Sequence, residues 1–112
     1  MEKCLIFDSK PKKILDLGSG FSNVHLNIHE IMVTEHDEES GKDKQVRKWQ
    51  ADVQRVQNPV TYDKTVDAAI HDEFPNGADE AALRKGILDP RDKDFVKLNE
   101  FAEFVKRSYK ES

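Results

Sequence analysis

Two runs of alternating side chains, VHLNIH at residues 24–29 and VRKWQADVQRV at residues 46–56, decide the fold of this chain. Apolar and polar residues take turns along both runs, which is the period of a half-buried β-strand. In the second run Trp49, Ala51 and Val53 share one face, and the residues between them are polar. Both runs are therefore predicted to be strands. Trp49, the only tryptophan, is interpreted as a core anchor or, at an exposed position, as a contact residue.

The segment between the two runs predicts how they are joined. Asp37–Lys44 is polar and contains a Ser-Gly dipeptide, which is typical of a turn. Two long strands around such a loop indicate an antiparallel hairpin. The apolar parity changes near Glu30, because Ile31 and Val33 then carry the apolar side. We therefore predict a β-bulge near Glu30 that absorbs one extra residue.

Two shorter apolar runs, Cys4–Phe7 and Ile14–Leu17, precede the long hairpin. Pro11 lies between them, and proline fixes its own φ and lacks a backbone donor, as a turn tolerates. The two runs are therefore predicted to pair with each other as a small hairpin. The glycine-containing segment that follows breaks the chain before the long strands begin.

After Asn58-Pro59 the period changes to that of helices. A first helix is predicted from Tyr62 with Thr61 as its cap, and a short second helix is predicted over Asp79–Leu88, weakened by Gly86. A third helix begins after Asp92 or Asp94, and its inner face consists of apolar residues three or four apart: Phe95, Leu98, Ala102, Val105 and Tyr109. The sequence thus predicts a single α+β domain over residues 1–112, with a β-rich part at about 1–57 and two or three helices at about 60–110.

Composition narrows the classes of partner and location. The chain has 112 residues, 36% charged, with a net charge of −4 and lysines and arginines interleaved with acids. No basic face emerges, so neither nucleic acid nor an anionic membrane is expected as a partner. Cys4 is the only cysteine, which excludes an internal disulfide and a cysteine-based zinc site. A cytoplasmic location is expected, and a virion-associated one stays open.

The segment KILDLGSG at residues 13–20 resembles the first motif of S-adenosylmethionine-dependent methyltransferases. In that family the glycine turn approaches the methionine moiety and an acid ending the next strand binds the ribose. The resemblance implies Asp16, Gly18, Gly20 and Glu35 as cofactor-binding residues. That fold needs a helical crossover between its strands, whereas residues 21–30 alternate as a strand. A strand followed by a glycine turn is therefore favoured, no cofactor is expected, and a binder of S-adenosylmethionine or a nucleotide is the alternative.

Histidines raise the question of a metal site. His25 and His29 are four residues apart and are predicted to share one strand face, with His36 and the acids Glu35 and Asp37 nearby. A polar strand face beside a solvated loop explains the same residues, so no metal is expected. No set of residues forms a catalytic constellation, and no catalytic residue is assigned.

Phe101 and Phe104 widen the inner face of the last helix, so they either pack in the core or present a contact surface. With Trp49 they are the candidate interaction residues. A small domain gains buried area by pairing, so exposed strand edges or these phenylalanines are candidate surfaces for self-association.

A broader resemblance rests on four segments: WQADV at residues 49–53, residues 62–74, EAAL at residues 80–83 and the helix over residues 95–105. Across residues 30–107 they resemble small proteins encoded in prophages and mobile regions of gut bacteria, often near tail genes. That resemblance implies a non-enzymatic structural, assembly or interaction protein with protein partners, such as phage structural proteins. A small regulatory or nucleic-acid-associated module is a third hypothesis.

Overall fold

The computed structural model describes residues 1–111, and its secondary structure is a block of strands followed by a block of helices. The strands and helices, in chain order, are β1 (Glu2–Phe7), β2 (Ile14–Asp16), β3 (Phe21–Asp37), β4 (Lys42–Gln57), α1 (Tyr62–Glu73), α2 (Ala78–Leu88) and α3 (Lys93–Glu111). The four strands form one antiparallel sheet. The predicted α+β class is therefore confirmed.

The strand order in the sheet is β1-β4-β3-β2, so the two short strands lie at opposite edges. The predicted hairpin between Cys4–Phe7 and Ile14–Leu17 is therefore wrong. The glycine turn after β2 reverses the chain, and Ile14 pairs directly with Val24 of β3. Because β2 occupies the outer edge of β3, β1 pairs with the outer edge of β4, where Phe7 lies opposite Trp49.

The long hairpin of β3 and β4 carries the predicted bulge. Leu26 is opposite Asp52 and His29 is opposite Gln50, so β3 contains one residue more than β4 over this interval. Asn27 adopts a positive φ of 52°, a conformation in which asparagine is enriched. The bulge lies slightly before the predicted Glu30, and it exchanges the two faces of β3 beyond it.

The core lies between one face of the sheet and the helices. Val24 and Leu26 of β3 and Val56 of β4 are buried there against Val66 and Val105 of α1 and α3. This is the face of β4 opposite to Trp49, Ala51 and Val53, which do share a face as predicted. The helices thus cover the face that carries polar residues in β4.

Two buried polar residues of β4 are matched by hydrogen bonds on this helix-covered face. The Asp52 carboxylate accepts from the Cys4 backbone N–H at 2.9 Å, where β1 has its own register irregularity. The Gln54 side-chain amide donates to Asp72 of α1 at 2.7 Å. These bonds connect β1 and α1 to the central strands and pair the Asp52 carboxylate and the Gln54 amide N–H, whereas the Gln54 Oε1 atom is buried without a hydrogen-bond partner among residues 1–111.

The helices begin where the sequence predicts. Thr61 caps α1, because its hydroxyl oxygen accepts from the Lys64 backbone N–H at 3.1 Å. Of the two candidate caps for α3, Asp92 has the role, since its carboxylate accepts from the backbone N–H groups of Asp94 and Phe95. Leu98 and Val105 of the predicted inner stripe are buried.

α2 packs against α3 through its glycine. Gly86 is buried, and a β-carbon added there would come within 2.0 Å of the Phe95 ring. An ion pair of 2.6 Å between Lys85 and Asp94 lies beside this contact. The hydrogen bond between these two groups raises the pKa of Lys85 and lowers the pKa of Asp94. The glycine that weakens α2 as an isolated helix therefore permits close helix packing.

Candidate functional site

The outer part of the long hairpin extends beyond the rest of the protein as a two-stranded ribbon. We call residues 30–37 of β3 and 42–48 of β4 the distal ribbon. β2 pairs with β3 only up to Val24, and β1 pairs with β4 only from Trp49 onward. Within residues 1–111, no strand pairs with either outer edge of the distal ribbon. Both edges therefore present unpaired backbone donors and acceptors.

The dimensions of the molecule reflect this projection. Its extents are 62 × 35 × 24 Å and its radius of gyration is 17.7 Å, whereas a compact domain of this length has about 13 Å. Residues 30–37 alone extend over roughly 26 Å at about 3.3 Å per residue. None of the distal ribbon's residues is buried, and the side chain of Met32 is 59% exposed. An isolated two-stranded ribbon is marginally stable, so pairing with a partner would stabilise the distal ribbon.

Polar side-chain contacts connect the two strands of the distal ribbon. Arg47 lies 3.6 Å from Glu30, and His36 lies 3.1 Å from Asp43 near the tip. Lys48 bridges to Glu35 at 2.8 Å and to Asp8, just after β1, at 3.1 Å. Hydrogen bonds to Glu35 and then Asp8 raise the pKa of Lys48. Ion pairs of this kind at a protein surface add little stability individually.

Trp49 lies at the base of the distal ribbon and is half-buried. It is not among the core residues between the sheet and the helices. Its ring is on the face opposite the helices, with the Lys10 ammonium 5.5 Å from the ring centre. The interpretation of Trp49 as a core anchor is therefore wrong, because the helices pack on the other face of β4. Its second interpretation, as a contact residue, stays a prediction.

Phe101 and Phe104 lie at the border of the core. Both are half-buried and pack against it. The Phe101 ring meets Phe74 edge-on, with 6.1 Å between centroids, and the Lys3 ammonium lies 5.7 Å from its centre. Of the two roles that the sequence leaves open, packing accounts for these contacts. The structure does not bring the phenylalanines near the distal ribbon's free edges.

The glycine turn is part of a β-hairpin. Gly18 and Gly20 have φ of 75° and 85°, and the Asp16 carboxylate accepts from the Gly18 backbone N–H at 2.8 Å. The chain then returns as β3, antiparallel to β2, with Phe21 at its start. Glu35 lies near the other end of this 17-residue strand, so the structure does not bring it together with the turn. The local resemblance to a cofactor motif thus reflects a strand and a tight turn.

The histidines are separated by the bulge. His25 is opposite Val53 and His29 is opposite Gln50, so they point to opposite faces of the sheet, and the prediction of a shared face is wrong. His25 is buried, donates to the Lys12 carbonyl and contacts the Phe7 ring. Over residues 1–111, no group of three or more His, Cys, Asp or Glu side chains is arranged to hold a metal ion.

A shallow groove of about 470 Å³ lies on the face of the sheet that the helices do not cover, where the connection between β1 and β2 crosses and Lys12 contacts His25. Its apolar lining includes Leu5, Phe7 and Val53, and its polar lining includes His25 and Arg55. Its lining also includes Asp72 of α1, so the groove reaches the edge of the sheet where β1 meets the helices. Sequence periodicity does not reveal it, since both faces of β4 are buried over residues 51–54.

Comparisons with known proteins assign this chain to no family. No family model, curated protein or solved structure matches this chain. Among the helices of residues 1–111, none combines the length and apolar character needed to cross a bilayer.

Thermal unfolding with S-adenosylmethionine tests the glycine turn directly. We expect millimolar S-adenosylmethionine to leave the midpoint of unfolding unchanged, because Asp16 and the glycines form a hairpin turn far from Glu35. A ligand at about 100 times its dissociation constant would add roughly 2.7 kcal/mol, which is several degrees for a domain of this size. A shift of that size, lost in Gly18→Val and Asp16→Ala, would contradict this assignment.

Proposed function

We propose that this chain is a non-enzymatic assembly or protein-interaction protein of the phage or prophage type, and that the distal ribbon is its contact element. The observation that carries the proposal is the ribbon itself: two long strands extend past their neighbours with both edges unpaired. The phage or prophage setting is supported only by the resemblance of residues 30–107 to small proteins encoded near tail genes.

The ribbon's physical character supports a role in binding protein. An exposed strand edge binds another strand through backbone hydrogen bonds, a recurring mode of protein recognition. Ile31, Val33 and Val46 lie on one face of the distal ribbon and are only half-buried, so a partner would bury them further. The contact element is thus separate from the core, and partner binding requires no rearrangement of the helices.

Capture experiments with a shortened ribbon test the proposal. Replacing residues 32–47 by Asn-Gly joins Ile31 to Lys48, which are direct cross-strand partners, through a dipeptide suited to a tight hairpin. The shortened and intact chains are each tagged and incubated with an extract of the producing cells that also contains untagged copies of the chain. Retained proteins are identified by mass spectrometry and rebound in purified form.

The intact chain is expected to retain one or more proteins, including untagged copies of itself, that the shortened chain loses. A matched control changes only the tip, with Glu38→Gln and Glu39→Gln, and should bind like the parent because both strands are intact. Equal retention by the intact and shortened chains, with circular dichroism showing both folded, would contradict the ribbon as contact element.

A further inference from the structure

The two strands of the distal ribbon carry opposite charge. Residues 30–37 of β3 contain three acids, Glu30, Glu35 and Asp37, and no lysine or arginine. Residues 42–48 of β4 contain one acid and four bases: Lys42, Lys44, Arg47 and Lys48. The free β3 edge of the distal ribbon is therefore acidic and the free β4 edge is basic, although acidic and basic residues are interleaved along the chain as a whole.

We propose that a second copy of this chain occupies these edges, with the acidic β3 edge of one copy pairing with the basic β4 edge of the next. Copies then add head to tail through their ribbons. This inference rests on the proposed function, in which the distal ribbon is the contact element, and it names the partner.

Charge decides between the two ways in which copies can pair. In a symmetric pair, β3 meets β3 or β4 meets β4, and like charges then lie across the new strand boundary. Like charges directly opposite each other destabilise a strand pair, whereas opposite charges stabilise it. Charged edges normally protect a sheet from uncontrolled pairing. Here they prevent the symmetric pair and leave the head-to-tail arrangement open.

The ribbon's internal register shows which side chains near the tip the complementary pairing would place opposite each other. Inside one copy, Glu35 is opposite Lys44, Asp37 is opposite Lys42, and Val33 is opposite Val46. These pairs lie on one face of the ribbon, since they are two residues apart. When two ribbons point the same way, β4 of one copy runs antiparallel to β3 of the next, and the same pairs can recur between copies near the tips. Toward the base the two ribbons must diverge, because Phe7 of β1 already occupies the place beside Trp49. Lys42 and Lys44 of β4 then each lie between acids on both sides.

Head-to-tail pairing has a consequence for the size of the assembly. Every added copy uses one edge and exposes the other, so growth continues until the rotation between copies closes a ring, or it yields a filament. A dimer is not the end state. Open-ended growth of this kind suits an assembly protein, and it follows from the presence of one acidic and one basic edge on the same distal ribbon.

Charge reversal on the purified chain tests the inference. The acid-reversed variant carries Glu30→Lys, Glu35→Lys and Asp37→Lys. The base-reversed variant carries Lys42→Glu, Lys44→Glu and Arg47→Glu, and it keeps Lys48 with its contact to Asp8. The doubly reversed variant combines all six changes and retains the net charge of −4, because three acids and three bases exchange signs. Circular dichroism and thermal unfolding establish that each variant is folded.

Molar mass is measured by light scattering and analytical ultracentrifugation at low salt. The parent and the doubly reversed variant should each form species larger than a dimer. Each one-sided variant alone should associate roughly tenfold to a hundredfold more weakly, because like charges replace the two direct charge pairs, Glu35 with Lys44 and Asp37 with Lys42. Mixing the two one-sided variants should restore assembly. Raising the salt should weaken it in every case, since the Debye length falls from about 30 Å at 0.01 M to about 3 Å at 1 M.

Three results would overturn the inference. Symmetric pairing would be indicated if a mixture of the parent and the doubly reversed variant assembles more tightly than either protein does alone. A molar mass that never exceeds that of a dimer would also indicate symmetric pairing. A parent that stays monomeric at low salt and millimolar concentration would exclude a second copy as the occupant. In that last case, ribbon-dependent capture of another protein from the extract would still support the proposed function, so the two failures are distinguishable.

Discussion

Leu26→Ala should lower the free energy of unfolding by about 2–5 kcal/mol, the range for removing a buried leucine side chain. Leu26 is fully buried on β3, immediately before the bulge, and faces the helices together with Val24 and Val56. Because domains of this kind have about 5–15 kcal/mol of stability in total, this single change removes a large fraction of it. Urea unfolding followed by circular dichroism measures the loss, with the dependence on urea unchanged if the native fold is kept.

Met32→Ala is the matched control on the same strand. Met32 lies in the distal ribbon beyond the bulge and is 59% exposed, so its replacement should change stability by no more than about 0.5 kcal/mol. The contrast between the two variants measures where the core ends along β3. A loss at Leu26 of less than about 1 kcal/mol, or an equal loss at Met32, would contradict the placement of the helices.

Gly86→Ala should destabilise the protein by roughly 1–3 kcal/mol, the cost of overpacking a close contact. A helix interior normally gains about 1 kcal/mol from this change, so the expected sign is opposite to that predicted by helix propensity. The reason is the Phe95 ring, whose Cδ2 and Cγ atoms lie 2.0 and 2.2 Å from the position of an added β-carbon. Thermal or urea unfolding of the single variant checks the sign.

A double-mutant cycle isolates the contact. In a Phe95→Ala background the ring is absent, so adding Gly86→Ala should be neutral or stabilising, and the cycle should show a coupling between the two positions. If Gly86→Ala destabilises equally with and without the ring, Phe95 is not the cause. If it stabilises the parent, α2 is not packed against α3 through Gly86.

Local periodicity predicts most of the elements. The alternation in residues 46–56, the Thr61 cap and the apolar spacing of α3 each depend on neighbours in sequence, and the structure confirms all three. The bulge is also visible as a change of parity, since one extra residue must be absorbed somewhere near it. These features are set by side chains within a few residues of one another.

Strand partners and covered faces are set by distant parts of the chain. β1 has no local signal that it pairs with β4 rather than β2, because the choice depends on which edge the glycine turn leaves free. Trp49 has the pattern of a core residue, yet the helices cover the face with Asp52 and Gln54, which find specific hydrogen bonds there. Alternation gives the two faces of a strand but not which of them meets the helices.

The candidate site depends on relative strand lengths. The sequence predicts that β3 and β4 are long, and it names strand edges as a candidate surface. It does not show that β1 and β2 cover only the inner ends of these strands, since their pairing partners are not predicted. The charge difference between residues 30–37 and 42–48 is present in the sequence, but its meaning requires the knowledge that both edges are free.

The distal ribbon as a pairing element is the central claim, and amide hydrogen exchange measured at two protein concentrations tests it most directly. In dilute solution the outward-facing backbone amides of residues 30–37 and 42–48 should exchange rapidly, because no strand covers them. In concentrated, low-salt solution the same segments should become protected, while exchange in β1, β2 and the three helices stays the same. Exchange in the ribbon that is independent of concentration, or protection that rises over the helices instead, would contradict the account.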